Sequence, residues 1–293
     1  MNINEIIIEK LLPVKRPQEE DIEKSFTFKD VNLPTHIYRY TNLNKIERVI
    51  NDLERQRIHI TKPTEFNDPY DSICKINLLS LTINSNQMHK LTYVKRYNSS
   101  FNSITLCKRN IISPVWPYSF QSNKDQKNQR IISGLNNFRH CIKVACFTEN
   151  PGSVLMWAHY TGNHTGICIE YEISEIEKSN NFRRDLYPVI YNSQTADLTS
   201  IFSLSIEGAP YNNLFPIKSA VYKNPEWQYE QEWRIIMHNF KPEYISTPKP
   251  KRILLGTKIS NENEDMVKSF CRNRGIDVFK VKHSKYKHEI ITS

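Results

Sequence analysis

From Ile142 onward the chain is a succession of short β-prone runs, and this limits the folds open to it. The runs are Ile142-Lys-Val-Ala-Cys-Phe-Thr148, Thr165-Gly-Ile-Cys-Ile-Glu-Tyr171, Leu186–Tyr191, Glu232-Trp-Arg-Ile-Ile-Met237, Arg252-Ile-Leu-Leu-Gly256 and Asp277–Lys282. Each is rich in β-branched or aromatic residues and is bounded by turn formers such as Asn150-Pro-Gly-Ser153 and Asn224-Pro225, the signature of strands. Fewer segments read as helical: Val154–Tyr160, residues 194–206, and residues 260–274 closed by Gly275.

Upstream, Thr35-His-Ile-Tyr-Arg-Tyr40 reads as a strand. Leu43, Ile46, Val49, Ile50 and Leu53 recur at helical spacing, which predicts a helix over 43–56 with Asn42 as its N-cap. A short strand, Ile58–Thr61, leads into the loop Lys62–Asp71. The class is α+β. One domain over 35–293 is expected, preceded by a leader at 1–34 and interrupted by a basic, mainly helical insertion at about 72–140.

Charge is concentrated in that insertion. From Lys90 to Lys143 there are ten Lys/Arg and one acid, Asp125, an excess equal to the +9 of the whole chain. Tyr93, Tyr97, Phe101, Trp116, Tyr118, Phe120 and Phe138 are interleaved with the cations. Basic side chains neutralise phosphates and aromatics stack on unpaired bases, so DNA or RNA is an expected partner. Lys95, Arg96, Lys108, Arg109, Lys124, Lys127 and Arg130 are its candidate contacts.

The apolar runs fall short of the ~18 residues a membrane span needs. The N-terminus carries acids inside its apolar stretch and lacks a signal peptide's basic start, so a soluble cytoplasmic protein is expected. The six cysteines are scattered without a Cys-x-x-Cys pair, most within apolar runs, and read as reduced core thiols. No metal is expected. Dinucleotide-binding glycine fingerprints, Walker A loops, Gly-x-Ser-x-Gly elbows and His-Glu-x-x-His motifs are absent.

Four clusters carry possible chemistry. Tyr38-Arg39-Tyr40-Thr41-Asn42, at a strand end, can present a fixed guanidinium to phosphate. Phe66-Asn67-Asp68-Pro69-Tyr70-Asp71 is turn chemistry that also supplies two carboxylates. Ser153, Trp157 and Tyr160 share a helical face that can hold a flat ring, with His159 directed elsewhere. Glu230 and Glu232 flank Gln231 at a strand start, and strand alternation would put both carboxylates on one face beside Arg234.

In this order the segments resemble a bacterial family filed as domain of unknown function 2971. They are Tyr38–Tyr40, Phe66–Asp71, Cys146–Glu149, Met156–Tyr160, Gly166–Tyr171 and Tyr229–Arg234. More distantly, the layout is similar to ADP-ribosyltransferases. That resemblance implies a split antiparallel β-sandwich that consumes NAD, by ADP-ribosyl transfer or NAD glycohydrolysis. It implies Arg39 on the first strand for the pyrophosphate, Glu232 as catalytic glutamate and Glu230 preceding it. The ring-binding position stays open among Ser153, Trp157 and Tyr160. Tyr38, Tyr40, Thr41, Asn42, Phe66, Asn67, Asp68 and His159 complete the NAD-site candidates. A toxin or phage-defence role with a nucleic-acid acceptor follows from the class alone. Two other readings stand beside it. One is a nucleic-acid-binding protein or nuclease with Asp68, Asp71, Glu230 and Glu232 around Mg²⁺. The other is a non-catalytic binding module whose aromatics form the core.

Overall fold

The computed structural model describes residues 4, 7–77, 80, 139, 142–207, 209–238, 243–287 and 290–291. Seven strands build one sheet: β1 (His36–Thr41), β2 (Ile142–Thr148), β3 (Ile167–Glu172), β4 (Leu186–Pro188), β5 (Glu232–His238), β6 (Arg252–Leu255) and β7 (Asp277–Lys280). Their order is β7-β6-β3-β1-β2-β5-β4, with every ladder antiparallel except β6–β7. Among the described residues, four two-stranded ribbons lie outside this sheet. The α+β expectation holds, with a large, mostly antiparallel sheet at its centre.

Alternate residues of each strand go to different cores, as the two-residue period requires. Ile37, Phe147, Ile169, Trp233, Ile235 and Ile253 face one core, covered by α1 (Ile46–Glu54) and α3 (Asn261–Arg274) through Leu53, Val267 and Cys271. The opposite face carries two smaller clusters. One joins Val144 and Ile236 to Ile7, Leu11, Leu12, Ile22 and Phe26, so the N-terminal stretch is packed on the sheet. The other gathers Tyr38, Cys168 and Leu254 around Trp157 of α2 (Val154–Tyr160).

Two helix starts are displaced from the sequence reading, and the strand expected over Leu186–Tyr191 is split into Leu186–Pro188 and Ile190–Tyr191. The helix expected over 43–56 begins at Ile46, because Asn42 Oδ1 accepts the Asn44 N–H at 3.3 Å in a local turn and Lys45 takes the N-cap position. The helix expected from 194 begins at Thr199. Ala196–Asp197 instead pairs in parallel with Cys74–Lys75, and Asp197 Oδ1 accepts the Thr199 N–H at 2.9 Å.

One feature of the sheet positions the site. β1 and β2 share a single register pair, Tyr38 with Thr148. Beyond it β2 is bridged by Thr61, which exchanges hydrogen bonds with Val144 at 3.0 and 2.8 Å. The sheet is therefore parted between β1 and β2. The Arg39 guanidinium fills the gap, Nη1 donating to the Cys146 carbonyl at 3.0 Å.

Candidate active site

Between the two smaller clusters the sheet face turns polar. Tyr38, Thr148 and Glu232 lie in one cross-strand row, and Cys146 and Arg234 in the next of that face. A cleft of about 180 Å³ opens over these rows. Its walls bring together Tyr38, Arg39, Tyr40, Phe66, Asn67, Asp68, Tyr160, Glu230 and Glu232, nine sequence candidates from four segments.

The two glutamates reach the cleft by different routes. Glu230 ends a 3-10 helix, Pro225–Glu230, started by the Asn224 side chain accepting the Glu226 N–H at 3.0 Å. Gln231 then takes a left-handed conformation, φ 44°, and Glu232 opens β5. The expected strand alternation is thus not the cause of their meeting. A turn and a shared cation are: Lys223 Nζ donates to Glu230 Oε2 and, at 2.9 Å, to Glu232 Oε2. Thr148 Oγ1 anchors the Glu230 carbonyl.

Arg234 organises the floor. Its Nε and Nη2 donate to Glu232 at 2.8 and 2.9 Å, and Nη1 and Nη2 donate to Asp71 at 2.8 and 2.6 Å. Nη1 also donates to the Ala220 carbonyl at 2.7 Å, so all five guanidinium donors are used. Arg234 is fully buried. Three carboxylates, Asp71, Glu230 and Glu232, thus face two cations, and the cluster carries one uncompensated negative charge.

The electrostatics follow. Burial would raise the Glu232 carboxyl, but Arg234 and then Lys223 outweigh it and hold it well below the usual carboxylate range. Glu230 shifts the other way, raised by burial and then by the charge of Glu232. The proton the cluster can accept therefore belongs on Glu230. Tyr160 donates its hydroxyl to Glu230 Oε1 at 2.5 Å, and burial followed by that carboxylate keeps the phenol neutral. The Cys146 thiol beside Glu232 is pushed up, chiefly by burial, and stays protonated.

Other candidates lie elsewhere. Trp157 is a core residue with no exposure, donating Nε1 to the Pro151 carbonyl at 2.8 Å, so it is not a stacking surface. Ser153 caps α2, accepting the Met156 N–H at 3.3 Å, and is not part of the cleft wall. His159 is exposed and likewise outside the wall. Tyr160 alone of that helical face reaches the cleft. Lys223 and Met156 line it without having been singled out in the sequence, where Tyr222-Lys223 carries no motif. Lys95, Arg96, Lys108, Arg109, Lys124, Lys127 and Arg130 lie outside the described residues.

Thr41 and Asn42 line a second cleft of about 400 Å³, which shares Arg39 and Thr61 with the first. It carries Lys45, Arg48 and Arg57 against one acid, Asp52, which pairs with Arg57 at 2.8 Å. Arg39 stands where the two clefts meet. Burial without a carboxylate partner lowers the proton affinity of its guanidinium, whose donors beyond Nη1 make no hydrogen bond among the described residues.

Among the described residues no group of three or more His, Cys, Asp and Glu is arranged to hold a metal ion, and no helix is long and apolar enough to cross a membrane. The carboxylates of the Mg²⁺ reading, Asp68, Asp71, Glu230 and Glu232, share the cleft, but Asp71, Glu230 and Glu232 already hold Lys223 and Arg234. No curated protein and no solved structure matches the chain. Residues 156–235, less than half of the chain, match a family described as "Protein of unknown function (DUF2971)". That stretch holds Tyr160, Lys223, Glu230, Glu232 and Arg234, and the match supports the chain's kinship with this family there.

Proposed function

We propose that the chain is an NAD-consuming enzyme of the ADP-ribosyltransferase-like kind, acting by ADP-ribosyl transfer or NAD glycohydrolysis. The observation that carries the reading is the convergence of Arg39, Tyr160, Glu230 and Glu232 on one cleft, at a place where the sheet parts. The same parting is the feature that favours the finer fold assignment, a split sheet of ADP-ribosyltransferase-like type.

The charge layout suits this ligand. The first cleft is aromatic and carries uncompensated negative charge, which suits a pyridinium ring and the positive charge that develops on ribose as the glycosidic bond breaks. The second is basic and suits a diphosphate, with Arg39 at the junction. At about 180 Å³ the first cleft lies below the ~300–1,000 Å³ of pockets that enclose drug-sized ligands; the two together fall within that range.

In the reaction the C1′–N bond breaks and its electron pair leaves with nicotinamide. An acceptor hydroxyl, or water, adds to C1′, and its proton passes to Glu230. A carboxylate whose proton affinity is raised, here by burial and by the charge of Glu232, is suited to this base role. Glu232, saturated by Arg234 and Lys223, positions the cluster and supplies fixed charge. A nucleic acid held by the basic 90–143 stretch is the acceptor we favour, and a toxin or defence role belongs to the same proposal.

The test is nicotinamide release from NAD by the purified chain, with and without added DNA or RNA. Release lost in Glu230→Gln with folding retained is the expected result. Release undiminished in that variant removes the base role, and no release under either condition removes the reading.

A further inference from the structure

Asp68 follows the short 3-10 turn Pro63–Glu65 and lines the first cleft. Its Oδ1 accepts the Tyr70 N–H at 2.8 Å and closes a local turn. Its Oδ2 is buried and has no hydrogen-bond partner among the described residues. The residue is only 6% exposed, so water does not replace the missing partner freely. A buried polar atom left in this state needs an explanation, because its desolvation is uncompensated.

The cations of the cleft do not supply it. All five Arg234 donors are used by Asp71, Glu232 and the Ala220 carbonyl. Lys223 is held between Glu230, Glu232 and, at 4.0 Å, Asp71. Arg39, the third cation lining the cleft, makes its one hydrogen bond among the described residues to the Cys146 carbonyl and none to Asp68, so a ligand can bring the donor that Oδ2 lacks. Phe66, Tyr38, Tyr40 and Tyr160 surround the same space, so the ligand part that enters is flat.

We infer that Asp68 is a specificity-determining residue, accepting a hydrogen bond from the carboxamide N–H₂ of a ring in the first cleft and rejecting the corresponding acid. This deepens the NAD reading and rests on it. An amide offers Oδ2 the donor it lacks. A carboxylate in the same place offers only acceptors and sets two like charges together, which a low-dielectric site penalises heavily.

The probes are nicotinamide and nicotinate, the free ring with amide and with acid, which the enzyme cannot turn over. Their binding is measured calorimetrically on the full chain, on Asp68→Asn and on Asp68→Ser. Both variants keep a short side-chain acceptor for the Tyr70 N–H, and thermal melting checks their fold. The wild type is expected to prefer nicotinamide at least tenfold, about 1.4 kcal/mol. Both variants are expected to lose that preference, and Asp68→Asn, which gains a donor, to favour nicotinate relative to the wild type. Wild-type protein that releases nicotinamide from NAD but binds both rings equally overturns the inference alone. Variants that weaken both rings by the same factor also overturn it and leave Asp68 a role in shaping the cleft alone. Failure of the wild type to bind either ring and to turn over NAD overturns the inference and the NAD reading together.

Discussion

The Tyr160 hydroxyl donates to Glu230 Oε1 at 2.5 Å, joining a helix of the middle of the chain to the turn that opens β5. That bond favours the ionised carboxylate. Tyr160→Phe removes it, so the Glu230 carboxyl should rise further. Glu230 has to be ionised to take a proton, and the ascending limb of the pH–rate profile for nicotinamide release should move to higher pH. Stability should fall by about 1–2 kcal/mol, the cost of a buried acceptor losing one partner. Denaturant unfolding and a pH–rate series check the two effects separately.

Arg234 is the structural centre of the cleft, and its removal should show as lost stability before lost activity. Arg234→Met leaves Asp71 and Glu232 buried with no bidentate partner. The expected cost is about 3–5 kcal/mol, as when one partner of a buried ion pair is deleted. Glu232→Gln should also destabilise, because it uncouples Arg234 and Lys223. Glu230→Gln should cost less, because burial and the Glu232 charge already disfavour the ionised Glu230 and a glutamine oxygen still accepts from Lys223. Unfolding midpoints of the three variants test this ranking, and a Glu230→Gln chain less stable than Glu232→Gln contradicts it.

Lys29 gives the fold a pH dependence of its own. Its ammonium is almost fully buried and donates to the Arg184 and Leu186 carbonyls at 2.8 and 2.9 Å, with Arg183 more distant. Burial outweighs Asp185 and Asp30 and pulls its pKa down to about 7. Between pH 7 and the ordinary lysine range the unfolded chain binds the extra proton. Stability should therefore rise with pH across that window, by up to about 1.4 kcal/mol per pH unit from this group. Subtracting the stability curve of Lys29→Met from that of the wild type isolates the slope. A flat difference between pH 7 and 10 contradicts the shift.

Much of the sheet was legible because its strands announce themselves locally: β-branched runs bounded by Asn-Pro and Gly turns. The helix of residues 261–274 was legible for the same reason, with Ser260 at its N-cap and Gly275 at φ 60° closing it. What sequence could not give was pairing across distance. Asp71 and Arg234 are 163 positions apart, and nothing local to either predicts their bidentate contact. Glu230 and Glu232 were correctly placed together for the wrong reason: alternation along a strand, where a left-handed Gln231 and Lys223 do the joining. Helical spacing puts Ser153, Trp157 and Tyr160 on one face and leaves the ring-binding position open among them, because it does not say which part of that face is buried. Of the three, the helix directs Trp157 into the core and Tyr160 to the cleft.

The central claim is that this cleft breaks the bond between ribose and nicotinamide, with Glu230 as the base. The most direct measurement is the rate of nicotinamide release from NAD by the wild type, Glu230→Gln and Arg39→Ala, at equal folded concentration. The expected result is release by the wild type, loss of kcat of at least a hundredfold in Glu230→Gln, and in Arg39→Ala a raised KM from the missing phosphate contact. Wild-type protein that is folded and releases no nicotinamide, with or without nucleic acid, contradicts the claim.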